Sequence, residues 1–168
     1  MATSKEPGVV ERPDGLKHLS PTRAGAFLGL LRAGEALELR LSSRLGSEHG
    51  LTLRGFEVLL FLSVFAPEGR LRMSELAEQT PLSQSRVSRL VGDLEARGLV
   101  ERSVAEADGR GVSVSITERG IEEFRAAQET HLADLEELLF SRLSETEVRQ
   151  LARITGKIVE ACEVLSAP

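Results

Sequence analysis

Between Ser83 and Gly92 the chain reads SQSRVSRLVG, a run of hydroxyl, amide and guanidinium groups with no acid among them. Ser83, Gln84, Ser85, Arg86, Ser88 and Arg89 are groups that bond phosphates and base edges. Arg86 can offer two parallel donors to guanine O6 and N7, and Gln84 a donor–acceptor pair to adenine. Such contacts are worth about 1–3 kcal/mol of base discrimination each. Ser83 and Ser85 suit phosphate or base edges. Arg89 is one turn further along and is expected on phosphate. A second group follows at Asp108-Gly109-Arg110-Gly111. Arg110, flanked by glycines, has no bulky neighbour and fits a narrow minor groove, where the negative potential is strongest. Asp108 would orient it through a charge-assisted bond. The chemistry is recognition of double-stranded DNA. No nucleophile–base pair, phosphate loop or metal motif appears, so neither an enzyme, a cofactor nor a metal is expected. His18, His49 and His131 stand far apart, without ligand spacing.

These groups need elements to aim them. Val87, Leu90, Val91 and Leu94 recur at helical spacing and put one apolar face down, with the polar run opposite. Gly98 stops that helix, and the period changes to two: Val100, Arg102 and Val104, then Val112, Val114 and Ile116 after the Gly-Arg-Gly tip. Upstream, Leu71-Arg72-Met73 reads as a short strand. Ser74 would cap a short helix with Leu76 and Ala77 inward, Thr80-Pro81-Leu82 would make a tight turn, and Ser83 would cap the reading helix. Two short helices joined by a tight turn, followed by a hairpin, form a winged helix-turn-helix. The bland alternative, a solvated polar face beside an ordinary Asp-Gly turn, explains each part but not their adjacency.

The flanks read as helices. Residues 1–19 show little periodicity and are expected to be a flexible arm. Ser20-Pro21 starts a helix, Ser as N-cap and Pro at the first position. It carries Phe27, Leu30, Leu31, Leu37, Leu41 and Leu45 on one stripe and ends between Gly46 and Gly50. Its roughly 25 residues exceed what a small domain needs, which suggests pairing with a second chain. Thr52 would cap a second helix whose Phe56, Leu59, Leu60, Leu62 and Val64 predict burial on most faces. Thr117 would cap a helix tracking Ile121, Phe124, Leu135 and Leu138, with His131 a half-buried interface residue. Ser144 and Glu147 form a capping box for the last helix. The expected class is therefore mainly α with a small β-hairpin wing. A winged helix-turn-helix core at 51–117 lies between dimerisation helices at 20–50 and 118–168.

Composition sets bounds. The net charge is −5, yet residues 70–119 hold eight bases and eight acids, so the acidity lies outside the reader. A DNA reader needs a local basic face only. No apolar run approaches the ~18 residues of a membrane span, and no signal-peptide core is present, so a cytoplasmic protein with no membrane partner is expected. The lone Cys162 reads as a small buried hydrophobe.

LTLRGFEVLLFLS, then MSELAEQTPLSQSRVSRLVGDLEARGLVER, resembles the MarR family of bacterial transcription regulators. So does the pattern D-x-R-x-x-x-V-x-I-T-x-x-G, met by Asp108, Arg110, Val114, Ile116, Thr117 and Gly120. The likeness covers roughly residues 25–165. It implies a homodimer with interleaved terminal helices, reading a pseudo-palindromic operator. It further implies repression, relieved when a small-molecule effector binds. Two departures stand out. Gly109 occupies the place of the family's usual second basic wing residue. Cys162 lies in the last helix, far from the first helix where the redox-sensing branch keeps its cysteine, so a peroxide sensor is not supported. Ligands in the family sit between the dimer helices and the reader. No set of polar groups marks such a pocket, with Arg40, His49 and Arg54 only weak candidates for its polar side. The reading from another class is a dimeric protein-interaction module with a vestigial DNA-binding core; Arg110 and the intact polar face weigh against it.

Overall fold

The computed structural model describes residues 8–80, 82–104 and 111–166, with side chains as far as Cys162. The chain divides into two compact units, Met1–Arg40 and Leu41–Pro168.

In the first unit, strands β1 (Val9–Glu11) and β2 (Lys17–Leu19) pair antiparallel, with Val10 opposite His18. The segment expected to be a flexible arm thus carries a short hairpin over residues 9–19. Strands of three residues are too short to show a period, but the turn between them is chemically specified. Asp14 accepts the Leu16 N–H at 3.1 Å and pairs with Arg12 at 3.1 Å, and Glu11 faces Lys17 across the strands at 3.7 Å. Such cross-strand pairs are the unit of sheet stabilisation. Helix α1 (Pro21–His49) starts where Ser20-Pro21 predicts. The Ser20 hydroxyl, however, is buried without a hydrogen-bond partner among the described residues, so Ser20 marks the start without capping it. Phe27, Leu28, Leu30 and Leu31 of α1 are all exposed.

The second unit opens with the end of α1, where Leu41 and Leu45 are buried. Helix α2 (Leu53–Leu60) is capped by the Thr52 hydroxyl, which accepts the Gly55 N–H at 3.0 Å. It continues into a π-helical turn, Phe61–Phe65, closed by Ala66 N–H to the Phe61 carbonyl at 2.9 Å. The wider turn rotates the side chains that follow. Leu62 remains buried, but Val64 and Phe65 are 53% and 67% exposed, contrary to the expected burial on most faces. Ala66, ahead of Pro67, is extended, as a residue before proline prefers.

Strand β3 (Arg70–Arg72) leads directly into α3 (Met73–Glu78). Ser74 lies inside α3 and does not cap it. Glu75 reaches back instead and accepts the Arg72 N–H at 2.7 Å. After the turn come α4 (Gln84–Ala96), β4 (Val100–Val104), β5 (Val112–Ile116), α5 (Glu118–Leu138) and α6 (Glu145–Ser166). The sheet order is β3-β5-β4, all antiparallel, with Val100 opposite Ile116 and Val104 opposite Val112. Two glycines are required here. Gly98, at φ +72°, ends α4 in a Schellman turn: Gly98 N–H bonds the Glu95 carbonyl at 2.8 Å and Leu99 N–H the Leu94 carbonyl at 3.0 Å. Gly120 lets α5 rest against the chain at Leu99, where a Cβ would lie 2.0 Å from the Leu99 carbonyl oxygen. Thr117 accepts the Gly120 N–H at 3.0 Å and donates to the Gly98 carbonyl at 2.8 Å. The α5 cap is thereby tied to the end of α4.

The core gathers Leu45, Leu51, Phe56, Leu59, Leu62, Leu76, Val87, Val91, Leu99, Val114 and Phe124. Each such side chain contributes roughly 1.5–3 kcal/mol by leaving water. The His131 ring lies tilted against Phe56, centroids 4.6 Å apart, and its Nδ1 is buried without a hydrogen-bond partner among the described residues. Ser144 and Glu147 cap α6: the Glu147 carboxylate accepts the Ser144 N–H at 2.8 Å, which holds its pKa below the usual carboxylate range. Cys162 is exposed, which corrects the buried hydrophobe expected from composition. Helix α6 has few neighbours to bury it.

Candidate nucleic-acid interface

Helix α4 is amphipathic in the way its sequence requires. Val87, Val91 and Leu94 pack into the core over Leu76 of α3, and this burial turns the other face outward. Ser83, Gln84, Ser85, Arg86 and Arg89 are all exposed on that face, and Ser88 is half-buried. Six of the eight residues predicted to read DNA are thus brought together on α4 and its cap. Ser83 takes the N-cap position, but its hydroxyl makes no capping bond and lies 3.2 Å from the Ser85 hydroxyl instead. The Arg86 N–H bonds the Ser83 carbonyl at 2.9 Å, and the Gln84 and Ser85 N–H groups ahead of it take no side-chain cap. No acid stands in that turn, so the helix dipole presents uncompensated positive potential. Asp93 and Glu95 come only towards the C-terminal end.

Gln84 and Ser88 share a cleft of about 540 Å³ with Arg102, Val104, Gly111 and Val112 of the hairpin. The reading helix and the wing thus border one concave surface. Asp108, Gly109 and Arg110 lie outside the described residues; the pairing of Val104 with Val112 is the last register before the tip.

Two arginines escaped the sequence reading. Arg102 looked like one member of an alternating strand. In the structure its Nη2 donates to the Ser88 carbonyl at 2.6 Å, and its Nε lies 3.4 Å from Glu95. Arg97, at the C-cap of α4, donates to the Gly50 carbonyl at 2.7 Å and to the His49 carbonyl at 2.9 Å. It satisfies the last carbonyls of α1, where a cation is favoured. Neither residue carries a local signal, because both partners are main-chain carbonyls distant in sequence.

Two of the three residues offered for the polar side of a ligand pocket are otherwise engaged. Arg54 pairs with Glu57 at 2.8 Å, and His49 lies 2.9 Å from the Thr130 hydroxyl and 3.6 Å from Glu123. Arg40 belongs to the first unit. Close by, Arg44 bonds Glu48 at 2.8 Å and Asp134 at 2.5 Å. The bond to Arg44 lowers the Glu48 pKa, and the two carboxylates raise that of Arg44. A separate cleft of about 420 Å³ lies between the π turn and α5, lined by Leu62, Ser63, Ile121, Phe124, Arg125 and Gln128. The Ser63 hydroxyl is buried there without a partner among the described residues. The sequence did not mark this cleft, because the π turn that opens it has no sequence signature.

Comparison with known proteins agrees with this geometry. The family model described as MarR family matches residues 49–111. Over 105 residues the chain is 31% identical to the HTH-type transcriptional repressor MdtR of Bacillus subtilis, covering 62% of this chain and 67% of that repressor. The crystal structure of AbsC, a MarR family transcriptional regulator from Streptomyces coelicolor, matches with a TM-score of 0.83 at 30% identity, over 88% of this chain and 99% of that one. That of Sco3205, a MarR family regulator from the same organism in complex with DNA, matches with a TM-score of 0.82 at 28% identity, over 88% of this chain and 92% of that one.

Proposed function

The chain belongs to the MarR family of DNA-binding transcriptional regulators, and on that premise we propose that it acts as a homodimeric repressor of a pseudo-palindromic operator. The observation that carries the reading is the acid-free exposed face of α4, Gln84, Ser85, Arg86 and Arg89, above a buried apolar face. Gln84 and Arg86 read base edges in the major groove. Ser83, Ser85, Ser88 and Arg89 bond phosphates or neighbouring edges. Asp108 and Arg110 serve the minor groove from the wing tip, one positive charge short at Gly109. A two-fold dimer sets two reading helices about 34 Å apart and so reads a palindrome. Exposed apolar residues on α1 and α6 supply the surface for a second copy.

Repression follows the relative MdtR, which is named a transcriptional repressor. A small-molecule effector releases the operator, and the cleft beside Ser63 is of a size that holds one. The chain acts by binding, as its relatives do, and not by catalysis. The described residues contain no helix long and apolar enough to cross a membrane.

The test is fluorescence anisotropy of wild type and Arg110→Ala on duplex enriched from a random pool, at two salt concentrations, with scrambled duplex as control. Selective, salt-sensitive binding by a dimer, weakened by the substitution, is the expected result. A wild-type chain that enriches no duplex would point to the protein-interaction module instead.

A further inference from the structure

Arg102 stands on β4 opposite Val114, and its side chain crosses from the wing to the reading helix. Its Nη2 donates to the Ser88 carbonyl at 2.6 Å, and its Nε approaches Glu95 Oε2 at 3.4 Å. Its own main-chain N–H donates to Glu95 Oε1 at 3.3 Å. One strand residue is therefore held at both backbone and guanidinium by α4. A carbonyl in mid-helix serves the N–H four residues on, and its second lone pair is open to a side chain. At Ser88 the guanidinium takes that place. It does so over Gly92, where a Cβ would lie 3.4 Å from Nη2. That is ordinary van der Waals contact, which leaves the crossing in place when a methyl is added.

Both ends of the crossing border the cleft that separates Gln84 and Ser88 from Val104 and Val112. A site that reads two grooves at once needs its two readers held to within about half an ångström. We propose that Arg102 is a positioning residue for DNA reading: clamping β4 to the Ser88 carbonyl and to Glu95, it sets the spacing and angle between the reading helix and the wing. The inference rests on the proposed reading of DNA by α4 and the wing. Two parallel donors are essential to it. Lysine keeps the charge but cannot hold a carbonyl and a carboxylate in a fixed fork.

The experiment uses the full chain as wild type, Arg102→Lys and Gly92→Ala. Anisotropy is read on a duplex that wild type enriches from a random pool and on a scrambled duplex, at two salt concentrations. Thermal unfolding of each protein is followed in parallel. Arg102→Lys is expected to lose about tenfold in preference for the enriched duplex, the size of one good base contact, while Gly92→Ala, whose methyl makes only ordinary contact with Nη2, keeps it. Scrambled-duplex affinity and its salt slope stay at wild-type values, and Gly92→Ala melts no lower than wild type. An Arg102→Lys protein that keeps its preference overturns the proposal, since charge alone then suffices. Equal losses on both duplexes with a shallower salt slope overturn it in favour of a phosphate contact. Losses that merely track lower melting temperatures reduce Arg102 to a stabilising residue. If wild type enriches nothing, DNA reading itself falls and takes this inference with it; a selective wild type beside an unchanged Arg102→Lys protein removes the positioning role alone.

Discussion

Helices α4 and α6 both leave one face uncovered, and the two faces differ in kind. On α4 the exposed groups are Gln84, Ser85, Arg86 and Arg89, while Val87 and Val91 beneath them are wholly buried. On α6 the exposed groups include Leu151, Ile154, Ile158 and Val159, the last 55% accessible. Water is a tolerable neighbour for the first face and a poor one for the second. A polar, acid-free face is complete as it stands, and under the proposed function a polyanion covers it. An apolar face on a helix with so little core of its own is incomplete until another apolar surface covers it. Under the proposed function the contrast separates reading, which one chain can carry, from assembly, which needs two.

Four measurements test that contrast. The largest effect is expected from Ile154→Asp with Ile158→Asp, which places two charges on the α6 face. Light scattering should show a monomer, and operator affinity should fall roughly a hundredfold or more, as linked half-sites become independent. A double variant that remains a dimer would mean that α6 is not the assembly face. Next, Arg86→Ala should leave the dimer intact yet lose about 1–3 kcal/mol of discrimination at one base position. Equal binding to all duplexes before and after would remove Arg86 from the reader.

Arg97→Ala comes third. It leaves the last carbonyls of α1 without their donor, at about 1.5–3 kcal/mol for charge-assisted bonds of this kind, less whatever water restores. Calorimetry should show a melting temperature lower by several degrees, with the α4 face unchanged. The smallest effect concerns His131. Burial holds its imidazole pKa below the ordinary value, against the opposing pull of Asp134 and Glu57. The unfolded chain then takes up a proton first as pH falls through about 6.5, so the stability present above that pH is lost as pH drops towards the folded value. Melting temperatures should decline over that window in wild type and decline less in His131→Leu. Parallel curves would show that His131 does not set the pH response.

Much of this was legible in the chain itself because the signals are local. Helical spacing of Val87, Val91 and Leu94, the change of period after Gly98, the Thr117 cap and the Ser144–Glu147 box each involve residues within one or two turns of one another. Each is found in the structure where spacing puts it. The misses are instructive for the same reason. Ser20, Ser74 and Ser83 have the right type for caps, yet each hydroxyl was passed over once Glu75 or a neighbouring serine offered another arrangement, or burial closed it off. The hairpin over 9–19 was too short to announce itself. The wing-tip pair Asp108 and Arg110 lies outside the described residues and rests on pattern alone.

Sequence by itself determined which groups exist, which helix carries them and which of its faces is apolar, since side-chain chemistry and helical period are properties of neighbours along the chain. Only the tertiary structure decided that Arg102 grips the Ser88 carbonyl, that Arg97 closes the end of α1 and that Val64, Phe65 and Cys162 face outward. Those outcomes depend on main-chain carbonyls and turn geometry brought together from distant positions, and a carbonyl looks the same in every residue of a sequence.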